Sequence, residues 1–175
     1  MAFQNGLPAV PVHDLVIHPR ENDLVVGTHG RSIYIANISH VQGMQEFAAN
    51  ESIKLFPLSE VNFSERWGTK GWSWADDYFE PKLSIVVFSN SDKDGQLKVL
   101  DKDGQVQFSK DVKLDKGLNY IDYNLDSDQG TDEPKDNGKK YLGVGAYKLQ
   151  ITSGSDSDSE DFNVKEPKKR NERKE

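Results

Sequence analysis

Cysteine is absent from this sequence. Its absence excludes a disulfide framework, a thiolate metal site and a cysteine nucleophile. Apolar residues are also scarce, at 35% of 175 residues with a mean hydropathy of -0.74, so any core is thin. Long hydrophobic runs are missing too. Ile85-Val86-Val87-Phe88 is among the longest, far short of the roughly 18 residues that a membrane-spanning helix needs. Positive charge is outweighed, with 22 Lys and Arg against 29 Asp and Glu, a formal charge of -7 and a pI near 5.1. A chain so acidic has no electrostatic footprint for phosphate backbones, so nucleic acid is not an expected partner. The first eight residues lack the basic and apolar regions of a secretory signal. No G-x-S-x-G elbow occurs, and Ser153-Gly154-Ser155 reads as a turn, so no serine nucleophile has its usual context.

What is present is β-patterned. The 17 aromatics (3 Trp, 6 Tyr, 8 Phe) argue against wholesale disorder, and the length allows one domain or two small ones. His13–His18 and Leu24–Val26 read as short strands interrupted by the turn formers of 19–23, and Ser32–Ala36 as a third. Gly27 and Gly30 suit the tight turn between the second and third. Ser39 with Gln42 makes a capping-box pattern, and Val41, Met44 and Phe47 continue at helical spacing, which predicts one short helix ending near Ala49-Asn50. Ile53-Lys54-Leu55-Phe56 reads as a brief strand, after which residues 59–81 lose periodicity and gather Trp67, Trp72, Trp74, Tyr78 and Phe79, as in an ordered linker.

From Lys82 a period of two returns: Leu83, Ile85 and Val87, then Leu97 and Val99, Val106 and Phe108, Ile121, Tyr123 and Leu125, Tyr147, Leu149 and Ile151, Phe162 and Val164. Such runs with turn signals between them predict an antiparallel β-sandwich. Asp92-Lys93-Asp94-Gly95 and Asp101-Lys102-Asp103-Gly104 are both expected to be hairpin turns. Residues 126–140 read as a long mobile loop, and 166–175 as a disordered basic tail.

The run Leu7-Pro8-Ala9-Val10-Pro11-Val12-His13-Asp14-Leu15-Val16-Ile17-His18-Pro19 is followed by Asp23-Leu24-Val25-Val26-Gly27-Thr28-His29-Gly30-Arg31-Ser32-Ile33-Tyr34-Ile35. Together they resemble the last blade of the large β-propellers grouped as sortilin-like or BNR-repeat glycosyl-hydrolase-like proteins. The resemblance covers residues 4–38. It implies an all-β chain: an incomplete three-strand blade (1–38), a helix and aromatic-rich linker (39–81) and a small immunoglobulin-like sandwich (82–165), ahead of the tail at 166–175. It further implies a C-terminal fragment of an exported protein, with the upstream blades of the parent chain as its first partner. The Ser-x-Asp-x-Gly-x-x-Trp box of many BNR repeats is absent, as are the blades that carry the arginine cluster of sialidase-type enzymes. Catalytic residues are therefore not assigned.

Binding residues are weighed on chemistry. His29 and Arg31, beside Gly27 and Gly30, either face a ligand or hold adjacent blades together. His13, His18, His29 and His40 match no helical metal pair, so no metal or other cofactor is assigned. The aspartates around Gly95 and Gly104 lack the full calcium-loop spacing, and 156–161 reads as a solvated hairpin tip. Trp67, Trp72 and Trp74 either stack on a protein or glycan ligand or pin the linker by burial. Three functions remain open: a structural or binding end portion of a propeller protein, the supporting segment of a glycoside hydrolase, and a self-contained β-sandwich binding module.

Overall fold

The structure, a computed structural model, describes residues 10–30, 32–72, 74, 76–129 and 133–167. The described residues form two compact units, divided between Ala49 and Asn50. Both are built mainly of strands, and the fold is all-β as its periodicity implies. Among the described residues no helix is long and apolar enough to cross a membrane.

In the first unit β1 (Val12–Ile17), β2 (Asp23–Thr28) and β3 (Ile33–Asn37) form an antiparallel sheet in that order. Asn22, at φ 54°, closes the first turn: its N–H donates to the His18 carbonyl at 3.1 Å, and the His18 N–H donates to the Asp23 carbonyl at 2.8 Å. Asparagine tolerates this left-handed conformation better than most residues. The register places Leu15–Val26–Tyr34 and Ile17–Leu24–Ala36 on one face, and Val16–Val25–Ile35 on the other. Both faces are thus apolar. Val26 is buried, whereas Val12, Leu15, Val16, Ile17, Ile33 and Ile35 are 45–69% exposed. A sheet wetted on one side alternates apolar with polar, and one apolar on both sides belongs to an architecture that covers it twice.

Helix α1 (Ser39–Gly43) and a single 3-10 turn, Met44–Glu46, complete this unit. The capping box is not formed. Ile38 holds the cap position and Ser39 is already helical, its N–H donating to the Asn37 side-chain oxygen at 3.1 Å. The α-helix is accordingly shorter than the spacing of Val41, Met44 and Phe47 implied.

The second unit is a β-sandwich. Its strands are β4 (Ile53–Leu55), β5 (Val61–Asn62), β6 (Leu83–Ser89), β7 (Lys93–Asp101), β8 (Val106–Leu114), β9 (Gly117–Tyr123), β10 (Gly145–Ser153) and β11 (Asp156–Lys165). One sheet runs β4-β6-β9 and the other β5-β11-β10-β7-β8, the two-sheet ordering of immunoglobulin-like sandwiches. Their inner faces share one core, to which Leu55, Ile85 and Val87 contribute from the first sheet and Val99, Ile151 and Phe162 from the second. Tyr147, near the start of β10, donates its hydroxyl to the Gly143 carbonyl four residues upstream at 3.0 Å, a tyrosine corner.

Several expectations need correction. The sandwich takes in more chain than 82–165, because Leu55 of β4 pairs with Val87 of β6 and is fully buried. The run 53–56 does read as a brief strand in the sequence, but one grouped with the linker, and the two-residue β5 is too short to show a period. The assembly is not wholly antiparallel, since β5 runs parallel to β11. Asp101–Gly104 is a turn, with Gly104 at φ 77° and the Asp101 carboxylate accepting the N–H groups of Asp103 and Gln105, each at 2.9 Å. Gly95 is not in a turn. It lies inside β7 opposite Val112, where an added Cβ would meet the Thr152 carbonyl oxygen at 3.1 Å. Close approach of the neighbouring strand, not a turn, calls for glycine there.

The described part of 126–140 is not a free loop: Ser127 donates its N–H to the Lys140 carbonyl at 2.9 Å, and Leu125 beside it is fully buried. The acidic hairpin of β11 is likewise engaged. Asp158 accepts the Leu55 N–H at 2.7 Å and pairs with Lys54 at 3.1 Å, fastening one sheet to the other. Of the expected tail, residues 168–175 lie outside the described residues.

Candidate functional site

The aromatic segment that the sequence leaves unplaced folds as a hairpin with a buried root and an exposed tip. A turn over 65–68 puts Trp67 into the sandwich core at 3% exposure, its ring 5.0 Å from that of Phe63 and 5.9 Å from that of Tyr141. Gly68 follows at φ 74°, where a Cβ would fall 2.6 Å from the Lys135 Cβ and 2.9 Å from the Tyr141 ring. Only glycine fits there. The two arms are joined by Gly68 donating to the Phe79 carbonyl at 2.8 Å and Phe79 donating to the Thr69 carbonyl at 2.9 Å. A Lys70–Tyr78 bridge continues the ladder.

Beyond that bridge Trp72 is 69% and Trp74 79% exposed. Two cations lie over aromatic rings along the arms, the Arg66 guanidinium 5.5 Å from the Phe79 ring centre and the Lys70 ammonium 5.2 Å from that of Tyr78. Exposed indoles offer flat apolar faces that stack on sugar rings or anchor a protein surface.

A polar cluster braces the hairpin root. Glu80 accepts from Lys139 at 2.8 Å and from Asn137 at 3.0 Å on one oxygen, and from Asn124 at 2.7 Å on the other. Asn137 also donates to the Tyr141 hydroxyl at 2.7 Å. The hydrogen bond from Lys139, reinforced by its charge, holds the Glu80 carboxyl below its ordinary value, and the same contact raises Lys139. Beside this root a depression of about 410 Å³ is bordered by Phe63, Glu65, Trp67, Glu133, Lys135 and Tyr141. Its lining mixes both charges with aromatic edges.

One other cluster has the composition of a nucleophilic site. Lys93 donates to the Ser52 hydroxyl oxygen at 2.7 Å and lies 3.3 Å from an Asp156 carboxylate oxygen, which also accepts the Ser52 hydroxyl proton. The lysine donates and the carboxylate accepts, so the three side chains satisfy one another's hydrogen bonds. The cluster is a tie at the rim of the sandwich.

Of the five candidate binding residues, the structure describes four, three in the second unit and one in the first. Trp67 is buried and supports the hairpin, whereas Trp72 and Trp74 remain accessible. His29 belongs to the other unit, where it is exposed with its ring centre 5.0 Å from that of His13 and the planes inclined at 34°. Arg31 lies outside the described residues. Glu80, Asn137 and Tyr141 escape sequence reasoning because their meeting is set by tertiary folding across some sixty positions. Among the described residues no group of three or more His, Cys, Asp or Glu is placed to hold a metal ion.

Family models and curated proteins gave no match to the chain. Among solved structures, dimeric latent PorU from Porphyromonas gingivalis is similar over 82% of this chain and 12% of that one, at 12% identity and a TM-score of 0.40. A β-glucosidase from Listeria innocua in complex with glucose is similar over 65% of this chain and 16% of that one, at 15% identity and a TM-score of 0.34. The chain therefore spans less than a fifth of either protein.

Proposed function

We propose that this chain is a non-catalytic end portion of an exported, sortilin-like or BNR-repeat β-propeller protein, with a structural and ligand-presenting role. Residues 12–37 act as part of a blade that packs between neighbouring sheets of the parent. The sandwich is an accessory domain that offers the Trp72–Trp74 hairpin to a protein or glycan. One observation carries this reading: the β1-β2-β3 sheet has aliphatic side chains exposed on both faces. Full burial of an exposed aliphatic side chain is worth about 1.5–3 kcal/mol, and with roughly half of that still to be gained at each of these positions a covered sheet is favoured over a bare one. The sequence resemblance over residues 4–38 supplies what covers it, further blades of the same kind.

Sedimentation velocity of the chain over a range of concentrations tests the reading. An uncovered sheet self-associates, and the double variant Val16→Lys with Ile35→Lys, both on one face, should shift the chain toward monomer. A chain that stays monomeric at every concentration, with the variant indistinguishable from it, would count against a blade in need of neighbours.

A further inference from the structure

His13 and His29 sit on neighbouring strand ends because the pairing of β1 with β2 shifts register between Val12 and Asp14. This irregularity releases His13 from the regular ladder, while the His29 N–H donates to the Pro11 carbonyl at 3.2 Å and fixes the other backbone nearby. Both residues are exposed. In a metal-bound pair each imidazole nitrogen lies about 2.0–2.1 Å from the ion and about 1.1 Å from its own ring centre, so rings at cis or tetrahedral angles have centres about 4.5–5.2 Å apart. The observed separation of 5.0 Å falls within that range.

We propose that His13 and His29 form a two-imidazole site for a late divalent transition metal, with copper(II) favoured. Nitrogen donors with no thiolate suit copper, nickel and zinc, and affinity at a given site rises to copper in the Irving–Williams order. The protein contributes these two ligands and water completes the shell. Among the described residues no third His, Cys, Asp or Glu joins them. The nearest acid in sequence, Asp14, turns its carboxylate to the Leu15 N–H at 2.8 Å. Two protein ligands and an accessible ion describe a loading or exchange site in preference to a permanently held structural metal.

Calorimetric titration of the full chain with copper(II), nickel(II) and zinc(II) at neutral pH tests the site. The expected result is one ion per chain, with copper tightest. His13→Ala and His29→Ala should each weaken binding by at least the roughly 10- to 100-fold that loss of even an outer-shell partner costs. His18→Ala should leave it unchanged, because His18 accepts the Glu21 N–H within a separate turn. Circular dichroism of each variant checks that the fold persists. No copper binding, or binding that survives removal of both His13 and His29, overturns the proposal.

Discussion

The Tyr147 hydroxyl donates to the Gly143 carbonyl at 3.0 Å, closing the chain onto itself where it enters β10. The ring meanwhile stacks on Phe162 of β11, 5.6 Å between centres, so one side chain links the corner to the sheet. Tyr147→Phe keeps the ring and deletes the hydroxyl. A net hydrogen bond contributes about 0.5–1.5 kcal/mol, and the variant is expected to lose that much in urea denaturation with an unchanged slope. No loss would mean that the corner is incidental.

The aromatic hairpin separates burial from exposure along a few residues. Trp67→Ala should cost about 3–5 kcal/mol, the usual range for a large core aromatic. Trp72→Ala and Trp74→Ala should each stay within about 0.5 kcal/mol of the parent chain, as exposed positions do. Equal effects at Trp67 and Trp72 would refute the division into root and tip.

Binding should show the reverse pattern. On a glycan array, with a parallel screen of protein ligands, Trp72→Ala combined with Trp74→Ala should abolish any signal that the chain gives. A signal that persists in the double variant would remove the hairpin tip as the contact surface.

Acid sensitivity follows from two carboxylates. The hydrogen bond from Lys139 lowers Glu80 from 4.5, and hydrogen bonds from Ser52 and then Lys93 lower Asp156 from 3.8. Each binds its proton more weakly in the folded chain than in the unfolded one, so the unfolded state gains protons first as pH falls. Their stabilisation is complete above those ordinary values and is lost as pH drops through the lowered folded ones. The urea midpoint should therefore fall between about pH 5 and pH 3, and by less in Glu80→Gln. An identical fall in that variant would exclude Glu80 as a contributor.

Much of the fold is legible in the sequence where elements are long. The alternation of Leu83, Ile85 and Val87 and of Leu149 and Ile151 marks strands whose side chains do meet in the core. Short elements are legible only in part: Ile53–Leu55 reads as a strand but not as one of the sandwich, and Val61–Asn62 is defined by a partner far along the chain. Gly95 shows a second limit: the same Asp-Gly dipeptide makes a turn at Gly104 and a close strand contact at Gly95. The candidate site was half legible. Composition singles out the tryptophans, but only packing against Phe63 and Tyr141 distinguishes Trp67 from the other two. The His13–His29 pair depends on a register shift, which no spacing rule encodes.

The central claim is that the sheet of residues 12–37 awaits cover on both faces while the sandwich is complete. Amide hydrogen exchange of the chain, read by mass spectrometry at a concentration where it is monomeric, tests this most directly. Segments from β1, β2 and β3 should exchange far faster than those from β6 and β10, because local opening is easiest where few apolar contacts are buried. Protection of Val12–Ile17 and Ile33–Asn37 equal to that of Leu83–Ser89 in the monomer would contradict it.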